Sequence, residues 1–228
     1  MNGQTQRYDF FSGMILSKNK IAENTFHIRI QSRDFSQIPY VAGYTAEIFL
    51  SDPYYNPERE IGEYAFWNYE PVYHTADFVI HANPLDKAEK WIKEVREGDS
   101  VFFRKLSDEL ILDASGSHYF LIGDIKALTY LYEINRALAV SKKVDSLIYT
   151  ERKEDMFPDL DHSFPLTSYV INPLKPEKIV EIVKGNFPES SKNTIVYMVG
   201  NSEISFCVSN YLQDNPAFEL RKIYMKEF

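Results

Sequence analysis

The first half of the chain has the pattern of short strands. Between residues 25 and 30 apolar and polar side chains alternate, with Phe26, Ile28 and Ile30 on one face, as in a half-buried antiparallel strand. Similar apolar runs bounded by turn residues predict strands at residues 44–50, 63–71, 76–81, 100–103 and 110–112. Short strands at this spacing predict a small antiparallel barrel or sandwich.

One helix interrupts these strands. Ala88, Trp91, Ile92 and Val95 recur at the i, i+3, i+4, i+7 spacing of a single buried face, and the lysines and glutamates between them point outward. We expect this helix to cap one end of the barrel, with Trp91 in the core.

Strands and helices alternate after residue 116. Strands are predicted at residues 118–123, 144–149, 166–170, 194–199 and 221–225, and helices at 127–138, 176–184 and 202–213. This alternation predicts a parallel sheet with helices on its faces. Ligands of such sheets bind beyond the carboxyl ends of the strands, here Gly123, Thr150 and Gly200. We therefore expect two domains, an antiparallel β-barrel at residues 1–114 and a parallel-sheet α/β domain at residues 115–228.

Composition excludes several classes of partner. A formal net charge of -8 at pH 7 opposes nucleic-acid binding, because lysine and arginine supply the affinity for phosphates. A single cysteine, Cys207, excludes an internal disulfide and a cysteine-based metal site. The five histidines lack ligand spacing, and the run DLDH at residues 159–162 matches metal loops only in composition. Without a signal-like N-terminus or a long apolar run, we expect a cytoplasmic protein with no membrane partner that acts on a small molecule.

The order of motifs resembles the siderophore-interacting family, the flavin-dependent ferric-siderophore reductases of the ferredoxin reductase superfamily. ADFVIH ends at His81, a helix with Trp91 follows, Gly98 and Asp99 form a turn, and FLIGDIKAL begins at Phe120. The family has a strand ending in Asp-Phe-Val-Leu-His, a helix with tryptophan, a Gly-Asp turn and a strand ending in Gly-Asp, in that order. The resemblance covers most of the chain. It implies a barrel that binds FAD, a second domain that receives NADH or NADPH, and reduction of a ferric siderophore to release Fe(II).

The resemblance also shows a departure at the flavin phosphates. The family's barrel strand reads Arg-x-Tyr followed by Thr or Ser, in which the tyrosine packs on the flavin ring and the arginine holds the pyrophosphate. Here the matching residues are 62–65, so Tyr64 is kept, but Gly62 and Ala65 replace the arginine and the hydroxyl residue. Losing a charge-assisted contact costs about 1.5 to 3 kcal/mol, or roughly ten- to a hundredfold in affinity. Arg59 and Lys87 are nearby cations that would substitute.

A second departure lies at the start of the helix. The family places Gly-Pro-Ala here, so that the backbone approaches the phosphates. This chain has NPLDKA from Asn83, with Ala82 in place of a glycine. Asp86 caps a helix well but repels a nearby pyrophosphate. A capped helix start without any ligand is therefore the alternative interpretation of this turn.

The candidate site residues follow from the resemblance and from strand alternation. Flavin contacts are predicted for Tyr64, Ala65, Phe66, Trp67, His81, Ala82, Asn83 and Lys87, and a nicotinamide contact for Gly123 and Asp124. Lys126, Arg152 and Lys153 follow strand ends and are candidates for binding the anionic ferric siderophore. We expect no side chain to act as a catalytic base. Trp67 has a structural alternative, in the barrel core or between the domains, and His81 is interpreted first as a structural histidine.

Two other functions stay open. The chain is also compatible with a binding or scaffold protein that keeps the fold and has no flavin. The third hypothesis is a flavoprotein reductase with another acceptor, such as a quinone or a free flavin.

Overall fold

Two sheets form the protein in a computed structural model that describes residues 10–56, 60–84, 86–105, 110–138, 140–187 and 191–227. The strands of the first sheet are β1 (Phe11–Ala22), β2 (Thr25–Gln31), β3 (Thr45–Phe49), β4 (Ile61–Ala65), β5 (Asn68–Glu70), β6 (Thr75–His81) and β7 (Ser100–Lys105), and helix α1 (Lys87–Glu94) lies between β6 and β7 in the chain. The strands of the second sheet are β8 (His118–Asp124), β9 (Lys143–Thr150), β10 (Ser168–Val170), β11 (Ser191–Val199) and β12 (Phe218–Lys226), and the helices of this half are α2 (Leu128–Ala137), α3 (Pro176–Asn186) and α4 (Ser202–Asp214).

The first sheet is antiparallel, in the order β4-β3-β7-β1-β2-β6-β5. It curls until β4 lies against β6, so it is barrel-like without closing. Its interior holds the alternating apolar side chains of the strands, such as Ile28, Ile30 and Phe78. Helix α1 begins after Asp86, whose carboxylate accepts the N–H of Ala88, and buries Ala88 and Ile92. The predicted helix is confirmed and packs on the core of the first sheet, but Trp91, predicted in the core, is only partly buried against it.

The second sheet is parallel, in the order β10-β9-β8-β11-β12. Its central strand β8 is buried almost throughout, as expected of a strand covered on both faces. The fold class predicted from the sequence, an antiparallel barrel-like sheet followed by a parallel α/β sheet, is confirmed. Helix α2 is buried around most of its circumference because it packs between its own sheet and the first sheet.

Two predicted details are wrong. Strand β1 was missed because Met14 and Leu16, on its exposed face, are apolar, so apolar and polar residues do not alternate around the buried Ile15. Residues 110–112 were predicted as a strand and form none. The Leu110 carbonyl accepts the Tyr130 hydroxyl from α2 at 2.5 Å, and the Ile111 carbonyl accepts the Tyr197 hydroxyl from β11 at 3.2 Å. These side chains bond the carbonyl groups that a neighbouring strand would otherwise bond.

A mixed cluster joins the two sheets. Trp67 and Val79 from the first sheet pack with Leu128 and Leu131 of α2. This contact sets the end of β6 opposite the carboxyl end of β8. Within the described residues, none of the helices has the length and hydropathy needed to cross a bilayer.

Candidate functional site

A cleft of about 290 Å³ lies where the two sheets meet. The first sheet contributes β4, the end of β6 and the first turn of α1, and the second contributes the turn after β8 and the start of α2. The lining residues are Leu50, Ile61, Gly62, Glu63, Tyr64, Ala65, Val79, His81, Asn83, Asp86, Lys87, Ala88, Lys126 and Thr129. Of the predicted cofactor and substrate residues, the structure thus brings together Tyr64, Ala65, His81, Asn83, Lys87 and Lys126.

Tyr64 forms an aromatic wall of the cleft. Its ring lies back over Gly62, where a Cβ atom would come within 2.6 Å of Tyr64 Cε2. Burial raises the pKa of the Tyr64 phenol, and the nearby Asp86 carboxylate raises it further, so the ring is uncharged at neutral pH. With the apolar side chains of Leu50, Ile61 and Val79, this wall suits a planar aromatic ligand.

His81 ends β6 at the edge of the cleft. Its Nδ1 lies 3.2 Å from the Thr25 hydroxyl. Burial lowers the pKa of His81 to about 4, with a further contribution from Lys126, while a hydrogen bond to the backbone of Ile125 opposes the shift. His81 is therefore neutral at pH 7 and joins the end of β6 to the turn that follows β8.

Ion pairs neutralise most of the charge in the cleft. Lys87 Nζ lies 3.1 Å from Glu60 Oε1, and Lys226 from β12 pairs with Glu63, which also accepts the Thr45 hydroxyl at 2.8 Å. Of the two cations that would substitute for the missing arginine, Lys87 already has a carboxylate partner. Arg59 lies outside the described residues.

The cleft fits one end of a flavin better than the other. Tyr64 and its apolar neighbours match a flavin ring. At the helix start, Asp86 occupies the N-cap and its carboxylate accepts the Ala88 N–H at 3.3 Å. A second anion at this position meets a like charge and one fewer free donor. The residues therefore fit the ring system and provide weak contacts for a diphosphate.

Three predicted flavin contacts do not reach the cleft. The side chains of Phe66 and Trp67 are 1% and 3% exposed, and Ala82 is 3% exposed. Phe66 packs in the barrel core, with its ring centroid 4.8 Å from that of Phe78. Trp67 lies between the sheets and donates its Nε1–H to Asp159 at 2.8 Å. This position agrees with the alternative interpretation of Trp67, in which it packs between the domains. The prediction that Phe66 and Trp67 contact the flavin extended the alternation of side chains along β4 to these residues. That extension is wrong because β4 ends at Ala65.

The predicted nicotinamide residues, Gly123 and Asp124, lie at the end of β8 and do not line this cleft. Asp124 accepts the backbone N–H groups of Lys126 at 2.9 Å, Ala127 at 3.3 Å and Asn201 at 3.2 Å. Burial raises the pKa of Asp124, against the effect of these bonds. The donors that hold a phosphate in other parallel-sheet proteins are therefore bonded to a carboxylate of the chain itself.

The predicted substrate cations separate into two groups. Lys126 is exposed at the cleft, and among the described residues it makes no ion pair. Arg152 pairs with Glu23 and with Asp155, the latter at 3.0 Å, and neither it nor the exposed Lys153 lines the cleft.

Sequence reasoning missed two features of the site. Thr129 lines the cleft from the first turn of α2, and only its place just after the Gly-Asp motif gives a signal. Asp159 was considered as part of a metal-like loop. It is buried instead against Trp67 and Arg136, between the sheets.

Comparisons with known proteins find similarity in structure and not in sequence. No protein-family model matches the chain, and the search of curated proteins found no match. The siderophore-interacting protein of Acinetobacter baumannii has a TM-score of 0.75 and 14% identity, over 96% of this chain and 91% of that one. The siderophore-interacting protein of Aeromonas hydrophila has a TM-score of 0.76 and 15% identity, over 96% and 92%.

A reductase shares the same architecture. Phthalate dioxygenase reductase, described as a modular structure for electron transfer from pyridine nucleotides to a 2Fe-2S centre, has a TM-score of 0.72 and 14% identity, over 95% of this chain and 68% of that one. Identities this low establish the fold alone. The chain thus has the two-sheet fold of the siderophore-interacting proteins and ferredoxin-type reductases, which is the fold that the resemblance of its motifs implied.

Proposed function

We propose that the chain is a flavin-dependent oxidoreductase that uses NADH or NADPH to reduce a ferric siderophore or another ferric chelate. The observation that carries the proposal is the cleft with Tyr64 on one wall and the turn after β8 on the other. The resemblance implies FAD as its flavin. When bound, the flavin supplies the redox chemistry, which converts a two-electron hydride into single electrons for Fe(III).

The residues of the chain hold and orient the reactants. Tyr64 would hold the flavin ring with an uncharged aromatic surface. Thr129 and Lys126 line the cleft from the start of α2 and the turn after β8 and would contact the bound reactants. His81 is neutral at pH 7 and lies 3.2 Å from the Thr25 hydroxyl, so its role is to join the walls of the cleft. Release of iron needs no acid or base from the protein, because siderophores hold Fe(II) far less tightly than Fe(III).

The proposed substrate is anionic, and one cation is placed to receive it. Lys126 is exposed at the edge of the cleft, next to His81 and the turn after β8. The carboxylates around Arg152 reduce the attraction that Arg152 and Lys153 offer to an anion. We therefore assign the substrate contact first to Lys126.

The test measures flavin binding and then turnover. The purified protein should bind added FAD, with a rise in the melting temperature and a change in flavin absorbance. With NADH or NADPH and a ferric chelate, a chromogenic Fe(II) chelator should register two Fe(II) for each nicotinamide oxidised. Tyr64→Ala should weaken flavin binding about tenfold, the value of one aromatic contact. Tyr73→Ala, at a position that is 69% exposed on the β5–β6 turn, is the matched control.

Each failure has a distinct meaning. Absence of flavin binding would contradict the proposal and favour a scaffold protein, the hypothesis that Gly62 and Asp86 support. Flavin binding with nicotinamide oxidation that iron does not accelerate would instead indicate another acceptor.

A further inference from the structure

We propose that the cleft recognises a flavin by its ring alone, so that uncharged riboflavin binds at least as tightly as FAD. The inference rests on the proposed function, because it concerns the flavin of the same cleft. It is carried by the charge balance of the walls, the position of Tyr64, the capped helix start and the volume of the cleft.

The described charges at the cleft cancel. Two ion pairs, Lys87 with Glu60 and Lys226 with Glu63, neutralise four of the groups. The remaining two are Asp86 and Lys126, which have opposite charge. A diphosphate arm at the helix start meets Asp86, a like charge without an ion pair among the described residues, and therefore finds no net attraction there. Riboflavin has no phosphate arm, so this charge balance does not lower its affinity.

The position of Tyr64 excludes a cation from the wall below it. Residues 62 and 64 lie on the same face of β4, since side chains in a strand alternate. The Tyr64 ring occupies the space in which a side chain at position 62 would begin. The strand thus presents an aromatic surface where a basic side chain would otherwise extend toward an anion.

The start of helix α1 is already capped by a side chain of the protein. The N–H of Ala88 is bonded to the Asp86 carboxylate, so the partial positive charge of the helix end is balanced by the chain. Pockets for small molecules usually measure about 300 to 1,000 Å³, and this cleft is at the lower limit at about 290 Å³. It encloses a ring system, and the adenosine half of FAD would lie outside.

Titrations with riboflavin, FMN and FAD, followed by quenching of flavin fluorescence, test the proposal. We expect the Kd of riboflavin to equal or fall below that of FAD, and the Kd of FAD to change little between low and high salt. A Kd for FAD roughly tenfold or more below that of riboflavin, weakened by salt, would overturn the inference and leave the proposed function intact. Absence of binding by all three flavins would overturn both.

Two variants sharpen the test. Asp86→Asn keeps a cap oxygen and removes the charge, so FAD should bind about two- to fivefold more tightly with riboflavin unchanged. Gly62→Arg should weaken riboflavin binding about tenfold, because the new side chain takes the space of the Tyr64 ring that contacts the flavin. Asp99→Asn is the control, because Asp99 accepts the Arg96 N–H at 2.8 Å at the other end of α1. An equal gain for riboflavin in Asp86→Asn would contradict charge as the cause.

Discussion

Replacing Asp159 by alanine should weaken the contact between the two sheets. The carboxylate is 3% exposed, accepts the Trp67 Nε1–H at 2.8 Å and pairs with Arg136. Alanine leaves the buried indole N–H without a partner, at a cost of about 1 to 3 kcal/mol, and removes a charge-assisted bond as well. Arg136 keeps the Glu133 carboxylate and the Trp67 carbonyl. We therefore expect a loss of about 3 kcal/mol in the free energy of unfolding, the lower end for breaking a buried pair.

Urea denaturation followed by tryptophan fluorescence and circular dichroism measures this loss. Asp159→Asn keeps an acceptor for the indole and should lose less than Asp159→Ala. Asp161→Ala is the control, because Asp161 is exposed two residues further along the same loop and should leave the unfolding midpoint unchanged. If Asp159→Ala stayed within about 0.5 kcal/mol of the wild type, the range of ordinary surface changes, the buried pair would have no role in holding the sheets together.

Two further predictions concern stability. Gly123→Ala should lower the free energy of unfolding by about 1 to 3 kcal/mol, because its Cβ would lie 2.5 Å from the Val199 carbonyl oxygen. Gly185→Ala, inside α3 and with open space around the added Cβ, should raise it by about 0.5 to 1 kcal/mol; equal effects in urea titrations would contradict this account. For His81, whose folded pKa is lowered from 6.5 to about 4, the unfolded chain binds the proton first, so stability should fall as pH falls through this window. His81→Gln should remove that part of the pH dependence, and an unchanged slope would refute it.

Much of the fold could be predicted because each half repeats one local pattern. The strands with clean alternation or continuous burial, such as β2 and β8, were found where the structure has them. Strand β1 was missed because apolar residues stand on its exposed face as well as on its buried face. Phe66 and Trp67 were misplaced because the chain leaves β4 before them, and a period of two has no meaning outside a strand.

The candidate site was predictable only in part. The departures at Gly62 and Asp86 were visible in the sequence, and both lie in the cleft. The pair between Lys226 and Glu63 joins residues 163 positions apart in the sequence, and no local sequence pattern predicts it. Strand-end reasoning placed Arg152 correctly on a loop after β9, but its neutralisation by Glu23 depends on packing between the sheets.

The connection between the sheets has a consequence for motion. Backbone groups between Leu110 and Gly116 are bonded to the hydroxyls of Tyr119 and Tyr197 from the second sheet and of Tyr130 from α2. A segment held in this way does not serve as a hinge, since bending it breaks several buried bonds at once. The two halves should therefore move as one rigid body, and the mouth of the cleft between them should keep a constant width.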